Sequence, residues 1–157
     1  MSQYTALLRR LGNQRWFAVL GRLLTPVDRR LHRLTGGRWS VIGRHALPSL
    51  LITTTGRKSG LPRTQPLLYA TDGDGYIVVG SNWGQPNHPA WSANLLAQPA
   101  ARITLGEREF GVRATLTTGA ERDRLWAVVL RIWPGYAAYA ERAEGRQIRI
   151  FRLTPDS

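Results

Sequence analysis

Residues 50–81 of the chain read LLITTTGRKSGLPRTQPLLYATDGDGYIVVGS, and this stretch decides the fold. It contains three runs rich in β-branched and aliphatic residues, and the glycines and aspartates at 72–75 join the second run to the third as a hairpin turn. Further along the chain, Gly106 separates another pair of such runs. The strands predicted from these patterns are 50–55, 64–71, 76–81, 101–105, 109–117 and 147–153.

Helical patterns surround these strands. Residues 87–97 form a short predicted helix with Pro89 near its first turn, and 118–144 form a longer one that breaks at Pro134 and Gly135. Long helices therefore occur only before the first strand and between the fifth and sixth. This order favours an α+β fold, a small antiparallel β-barrel with flanking helices. A dinucleotide-binding βαβ fold is not expected, since its glycine fingerprint is missing.

The amino-terminal part differs from the rest in charge. Residues 1–45 carry nine arginines and one acidic residue, out of 22 basic and 10 acidic residues in the 157-residue chain. Apolar residues recur there at helical spacing with arginines on another face, which predicts amphipathic helices over 4–24 and 26–35. We therefore divide the chain into a basic helical segment, 1–37, and a barrel domain, 38–157.

The basic segment has two possible roles. It either packs on the barrel or attaches to an anionic membrane surface, where Trp16, Phe17 and Leu20 enter the interface. Arginines interrupt every apolar run that could span a bilayer or serve as a signal sequence, so a cytoplasmic protein is expected. Nucleic-acid binding is not expected, because the charge of the remaining chain is nearly balanced and no nucleic-acid motif occurs.

Composition and motifs exclude several classes of enzyme. The chain has no cysteine, so any redox chemistry must come from a cofactor, and its three histidines lack the spacing of metal ligands. Ser59 and Ser81 lack the flanking glycines of a nucleophile elbow. Arg57 stands where a phosphate-binding Walker loop requires a glycine before its lysine. Asp72 and Asp74 are assigned to the hairpin turn rather than to a catalytic pair of carboxylates.

One segment, 53–63, has the composition of an anion site; its sequence is TTTGRKSGLPR, and we call it the basic turn. It combines three cations with hydroxyl side chains and two glycines between two predicted strands. Glycines allow backbone N–H groups to face phosphate oxygens, while arginine and lysine supply charge-assisted hydrogen bonds. An ordinary solvated turn explains the same composition equally well.

The basic turn and two other segments resemble the deazaflavin-dependent nitroreductase family, whose members bind coenzyme F420 in a split β-barrel. The first matching block is the basic turn with Pro66 after it. The second comprises GSNWG at 80–84, NHPAWSANL at 87–95 and AQP at 97–99, and the third is WPGYAAY at 133–139. Together the blocks extend over about residues 38–154 in the order found in the family.

The resemblance implies roles for particular residues. The phosphate and acidic tail of the coenzyme would contact Arg57, Lys58, Ser59 and Arg63, with Pro66 near the ring system. The residues that would line the deazaflavin pocket are Ser81, Asn82, Ala90 and Trp91. Tyr136 and Tyr139 would lie beside the substrate, where a neutral phenol can donate a hydrogen bond to a developing oxyanion. Trp91 and both tyrosines are equally compatible with packing in the core.

The function implied by the resemblance is that of an oxidoreductase. It would transfer a hydride from reduced coenzyme F420 to a small electron acceptor, either a quinone, a nitroaromatic compound or an activated enoyl compound. The protein would supply placement and exclude water. Two alternatives stay open: a split-barrel oxidoreductase that uses FMN, and a basic protein without catalytic activity that binds a membrane surface.

Overall fold

The computed structural model describes residues 47–157 throughout. It also describes eight residues of the basic segment, all of them helical: Val19, Leu20, Leu23, Leu24, Pro26, Val27, Arg30 and Leu34. These eight agree with the two predicted helices, whereas the other residues of 4–24 and 26–35 lie outside the described part. The proposed boundary after residue 37, Trp16 and Phe17 also lie outside it.

The expected α+β fold, a small antiparallel barrel, is confirmed. The strands within residues 47–157 are β1 (Ser49–Thr55), β2 (Pro62–Asp72), β3 (Gly75–Gly80), β4 (Ala100–Leu105), β5 (Arg108–Leu116) and β6 (Arg149–Pro155). They form a closed barrel in the order β1–β2–β3–β6–β5–β4, and every neighbouring pair is antiparallel. Each predicted strand agrees with an observed one to within about two residues at both ends, as expected for boundaries read from a pattern.

The helices of residues 47–157 are α1 (Ala90–Ala97), α2 (Gly119–Ile132) and α3 (Gly135–Arg142). The helix predicted over 87–97 begins only at Ala90, because Pro89 is extended, with ψ 144°, and restricts His88 before it. The helix predicted over 118–144 is interrupted at Pro134, as the sequence indicated. A short 3₁₀ turn at Asn82–Gly84 was not predicted.

Two hydrophobic clusters lie on opposite faces of β3. Successive side chains of a strand point to opposite faces, so Val78 enters the cluster inside the barrel, while Ile77 and Val79 pack in the cluster covered by α2 and α3. Both faces of β3 are therefore buried. This burial on both faces accounts for the apolar run Ile77–Val79 in β3. In β1, by contrast, buried and half-buried side chains alternate along the strand.

Asp72, at the end of β2, ties the hairpin turn to α2 and β6. Its carboxylate accepts two hydrogen bonds from Arg124, at 2.8 and 2.9 Å, and another from Arg152, which also pairs with Glu121 at 3.2 Å. The hydrogen bonds from Arg124 and Arg152 hold the pKa of Asp72 well below its usual range. These contacts give Asp72 a structural role, in keeping with its assignment to the turn.

Replacing Asp72 by asparagine is expected to lower the melting temperature at about pH 7 and to have less effect at about pH 3. A carboxylate with a depressed folded-state pKa adds stability above its unfolded pKa of about 3.9, and this stability is lost as the pH falls toward the folded value. Melting curves of the wild type and the variant measure the difference at each pH. Asp74→Asn is the control, since Asp74 forms no ion pair within residues 47–157. An equal difference at both pH values would contradict this role.

Candidate functional site

The basic turn is closed by its own backbone between β1 and β2. The amide of Gly56 donates to the carbonyl of Leu61 at 2.8 Å, and the amide of Gly60 donates to the carbonyl of Gly56 at 2.7 Å. Gly60 has φ +68°, the left-handed region that favours glycine. A Cβ atom at Gly56 would lie 2.6 Å from Ser59 Oγ and 3.2 Å from the carbonyl oxygen of Leu61, so a side chain there would displace Ser59.

The three cations of the basic turn, Arg57, Lys58 and Arg63, have no acidic partner within residues 47–157. All three are exposed. Ser59 Oγ accepts hydrogen bonds from the Leu61 amide at 3.2 Å and from Arg63 Nη2 at 3.3 Å, which holds the Arg63 side chain beside the turn. Exposed cations without anionic neighbours in the described part of the chain, next to backbone shaped by glycine, have the chemistry that a polyanionic ligand requires.

Asn94 connects the basic turn to α1, a link that the sequence analysis missed. The buried Asn94 Oδ1 accepts a hydrogen bond from the Arg57 amide at 3.1 Å and a longer one from Arg57 Nη1 at 3.4 Å. Its amide nitrogen donates to Thr54 Oγ1 at 3.1 Å. The sequence did contain a signal for this link, because Asn94 lies one turn after Trp91 on a short, mostly apolar helix. A buried amide at such a position requires hydrogen-bond partners.

Ser81 and Asn82 lie in the β3–α1 loop, which comprises residues 81–89. Asn82 shapes this loop, since its side-chain amide donates to the carbonyl of Asn87 at 2.8 Å and its Oδ1 accepts from Gln85 Nε2 at 3.2 Å. Asn82 and Trp83 have φ values of 46° and 57°, in the left-handed region that residues with side chains rarely adopt. The loop conformation therefore depends on contacts from outside it.

Of the other residues expected near the ring system, Pro66, Ala90 and Trp91, only Ala90 is exposed. Pro66 is half-buried on β2 opposite Leu51. Trp91 packs inside the barrel against Phe151, with ring centroids 5.8 Å apart, and only 5% of it is exposed. Trp91 therefore packs in the core of the barrel, and its contact with a bound ring remains a prediction.

Tyr136 and Tyr139 lie on α3 in the cluster outside the barrel, so β3 separates them from the Trp91 side chain. Burial raises the pKa of Tyr136 well above its usual range, and Tyr139 beside it adds to this effect. Burial also raises the pKa of Tyr139, which Trp133 and Arg142 partly offset. Both phenols are consequently neutral donors at physiological pH.

Contacts connect the basic turn, α1, the β3–α1 loop and α3 in sequence. Along α1, Asn94 at the basic turn is four residues from Ala90 at the end of the β3–α1 loop, a rise of about 6 Å. From that loop, the Trp83 ring reaches Tyr139 with centroids 6.0 Å apart, and Tyr139 lies 6.3 Å from Tyr136. The basic turn thus contacts α1, and the β3–α1 loop that precedes α1 contacts α3.

The donor set fits a coenzyme with an acidic tail. Three exposed cations without an acidic partner within residues 47–157 match the several negative charges of a phosphodiester and glutamyl carboxylates. A ligand held there has α1 and the β3–α1 loop as its neighbours. This arrangement fits coenzyme F420 in charge.

Comparisons with known proteins agree with this assignment. Residues 21–155 match the family model described as F420H(2)-dependent quinone reductase. The chain is 44% identical over 101 residues to an F420H(2)-dependent quinone reductase of Mycobacterium tuberculosis, covering 63% of this chain and 68% of the relative. A solved F420-H2 dependent reductase, FDR-A, is similar with a TM-score of 0.62 and 34% identity, covering 68% of this chain and 93% of that one.

Another solved structure, described as a domain-swapped dimer, has a TM-score of 0.63 and 31% identity and covers 82% of this chain and 99% of its own. The family model extends over most of the chain, including the whole barrel and all three matching blocks. The chain belongs to the F420H(2)-dependent quinone reductase family and is an oxidoreductase whose cofactor is reduced coenzyme F420.

Proposed function

We propose that the protein uses reduced coenzyme F420, which supplies a hydride when bound, to reduce a quinone. The observation that carries this proposal is that the cations of the basic turn have no acidic partner in the described part of the chain, together with the link of this turn through Asn94 to α1. A quinone is preferred among the acceptors because the matched family and the mycobacterial relative carry that name. Nitroaromatic and activated enoyl compounds are secondary acceptors in this proposal.

Different parts of the chain have different roles in this proposal. Arg57, Lys58 and Arg63 bind the acidic tail, and Ser59 orients Arg63 toward it. The ring system is bordered by three parts of the barrel domain. These are the β3–α1 loop with Ser81 and Asn82, the half-buried Pro66, and the start of α1 at Ala90 and Trp91. Orientation by several elements of a rigid scaffold places the reacting groups and excludes water.

Tyr136 is proposed as the group that donates a hydrogen bond or proton to the oxygen of the reduced acceptor. Its raised pKa keeps the hydroxyl protonated, so that it is available as a donor rather than as a base. Tyr139 lies next to it and forms part of the same aromatic row with Trp83. In this proposal Tyr139 shapes the wall of the acceptor site.

Purified protein without coenzyme is expected to bind F420 in preference to FMN. Trp83 belongs to the β3–α1 loop and Trp91 to the first turn of α1, the two elements proposed to border the ring, so bound coenzyme should quench tryptophan emission. Titration with each coenzyme gives the two dissociation constants. Oxidation of reduced F420 is then followed with a quinone, a nitroaromatic and an enoyl acceptor in parallel. Micromolar binding of FMN without binding of F420 would overturn the choice of cofactor, and turnover of the nitroaromatic alone would overturn the choice of acceptor.

We also propose that the basic segment attaches the enzyme to an anionic membrane surface. Supporting this, helical residues of the segment expose large apolar side chains: Leu23 is 68% exposed, Val27 52% and Leu34 84%. Among the helices that the structure describes, none has both the length and the apolar content to cross a bilayer. Attachment at the surface of the inner leaflet would bring the cytoplasmic enzyme to lipid-soluble quinones.

The full-length protein is expected to sediment with vesicles that contain phosphatidylglycerol and to remain in solution with vesicles of phosphatidylcholine alone. Combined Leu23→Gln and Leu34→Gln substitutions should reduce the bound fraction, since they remove apolar area that enters the interface. Leu116→Gln is the matched control, because Leu116 is an exposed leucine on β5. Equal sedimentation with both kinds of vesicle, or with neither, would remove the membrane proposal.

A further inference from the structure

Arg146, which follows α3, uses its side chain to hold the β3–α1 loop. Nη1 donates to the carbonyl of Gly80 at 3.1 Å, and Nη2 donates to the carbonyls of Ser81 at 2.8 Å and Gln85 at 2.9 Å. Nε donates to Gln85 as well, at 3.0 Å. A single planar guanidinium thus binds the carbonyl at the end of β3 and two carbonyls of the loop, as only arginine can.

The loop needs such support because its conformation is unfavourable by itself. Asn82 and Trp83 are both left-handed. On the side facing α3, Gly84 packs so closely that a Cβ atom would lie 2.9 Å from the carbonyl oxygen of Tyr139. The loop is therefore held between α3 on one side and the Arg146 guanidinium on another, and strained backbone persists only where its surroundings determine it.

His88 completes the contacts of Arg146. Arg146 Nη1 lies 3.2 Å from His88 Nδ1, and since a guanidinium has no acceptor, Nδ1 must be the acceptor and the ring must be neutral, with its proton on Nε2. The charged groups that act on His88 are Arg146 and Arg149 of β6, and within residues 47–157 it has no carboxylate partner. Partial burial and these two cations lower the pKa of His88.

We propose that Arg146 is a positioning residue for the coenzyme ring pocket, and that neutral His88 is the acceptor that keeps its guanidinium against the β3–α1 loop. The inference rests on the proposed function in one respect, which is that Ser81 and Asn82 border the ring. Protonation of His88 places an N–H group where Arg146 needs an acceptor. Coenzyme affinity therefore falls as the pH drops below the pKa of His88, which lies under the 6.5 of an unperturbed imidazole.

The hold on the loop is measured first without coenzyme, by hydrogen exchange. The amides of Gly84 and Gln85 are protected by bonds to the carbonyls of Ser81 and Asn82, at 3.0 Å each. Arg146→Ala should accelerate exchange at these two amides by about tenfold or more, the effect of losing one hydrogen bond to a charged group. The amide of Thr117, bonded to Ile150 in the barrel, should be unaffected. Unchanged exchange at Gly84 and Gln85 would overturn the inference.

The coenzyme is the second readout, with F420 titrated into each variant at neutral pH. Arg146→Ala should raise the dissociation constant by about tenfold or more, and Arg146→Lys should do so nearly as strongly, because an ammonium group lacks the planar fork. Guanidinium ion at a low, non-denaturing concentration should restore part of the affinity of Arg146→Ala. Arg131→Ala, which removes an exposed arginine of α2, is the matched control. Wild-type affinity in both Arg146 variants would contradict the positioning role.

The pH dependence separates positioning from general stability. His88→Asn keeps an acceptor, Oδ1, near the place of Nδ1 but cannot be protonated. Its affinity for F420 should equal that of the wild type at neutral pH and should not decline in acid as that of the wild type does. Identical pH profiles would contradict the role of His88. If Arg146→Ala fails to fold, the test is made with Arg146→Lys and His88→Asn. If the wild type binds no F420, the proposed function is wrong, and hydrogen exchange still decides whether Arg146 holds the loop.

Discussion

Replacing Lys58 and Arg63 together by alanine is expected to weaken F420 binding by about a hundredfold or more while leaving the fold intact. Each side chain would lose a charge-assisted hydrogen bond to the acidic tail, and such bonds contribute roughly 1.5 to 3 kcal/mol each. Neither side chain has an ion-pair partner within residues 47–157, so the folded barrel loses little. Fluorescence titration with F420 gives the affinity, and a melting curve gives the stability.

Salt and a charge control make this test specific. Arg131→Ala removes one exposed positive charge from α2 and should leave the affinity unchanged. Raising the ionic strength should weaken the wild type more than the double variant, because screening acts on the charges that the variant lacks. Unchanged affinity in the double variant would make the basic turn an ordinary solvated turn.

Tyr136→Phe is expected to reduce turnover by on the order of a hundredfold while F420 binding stays near that of the wild type. The substitution removes the hydroxyl donor and keeps the ring, which contacts Tyr139 and Trp126 with centroids 6.3 and 6.4 Å away. A donor that acts on the developing oxyanion changes the rate of the chemical step, whereas a packing tyrosine changes only stability. Single-turnover oxidation of bound reduced coenzyme measures that step directly.

Two acceptors and a second tyrosine control this measurement. A quinone takes a proton from solvent more readily than a nitro group in a buried site, so the loss should be greater with a nitroaromatic than with a quinone. Tyr76→Phe removes a hydroxyl from β3, where the ring packs against Tyr69, and should leave both rates unchanged. If Tyr136→Phe retains wild-type rates with both acceptors, Tyr136 is not a donor and only forms part of the wall of the acceptor site.

The barrel was predictable from the sequence because its signals are local. The run of aliphatic and β-branched residues in β1 is typical of a strand, and the hairpin turn at 72–75 has the residues that such turns require. Pro134 likewise marks the break between α2 and α3. The cofactor was predicted from the family resemblance, and the family model matches residues 21–155, which include the three segments that carry this resemblance.

The contacts that shape the candidate site were not predictable, because they join residues far apart in the chain. Asn94 contacts Arg57 across 37 positions, and Arg146 contacts Gly80 across 66. No periodicity encodes such pairs. The left-handed backbone of Trp83 was equally hidden, since a bulky residue disfavours that conformation and only tertiary contacts maintain it.

Closure of the barrel has a consequence for engineering this enzyme. Each strand between residues 49 and 155 has hydrogen-bonded neighbours on both sides over part of its length, so the barrel has no strand whose edge is open from end to end. Substitutions confined to residues 56–61 and to the β3–α1 loop lie outside the strands, so they add no open edge to which another chain could pair. Selection for new acceptors can be directed at these two loops while the strand pairs of the barrel stay unchanged.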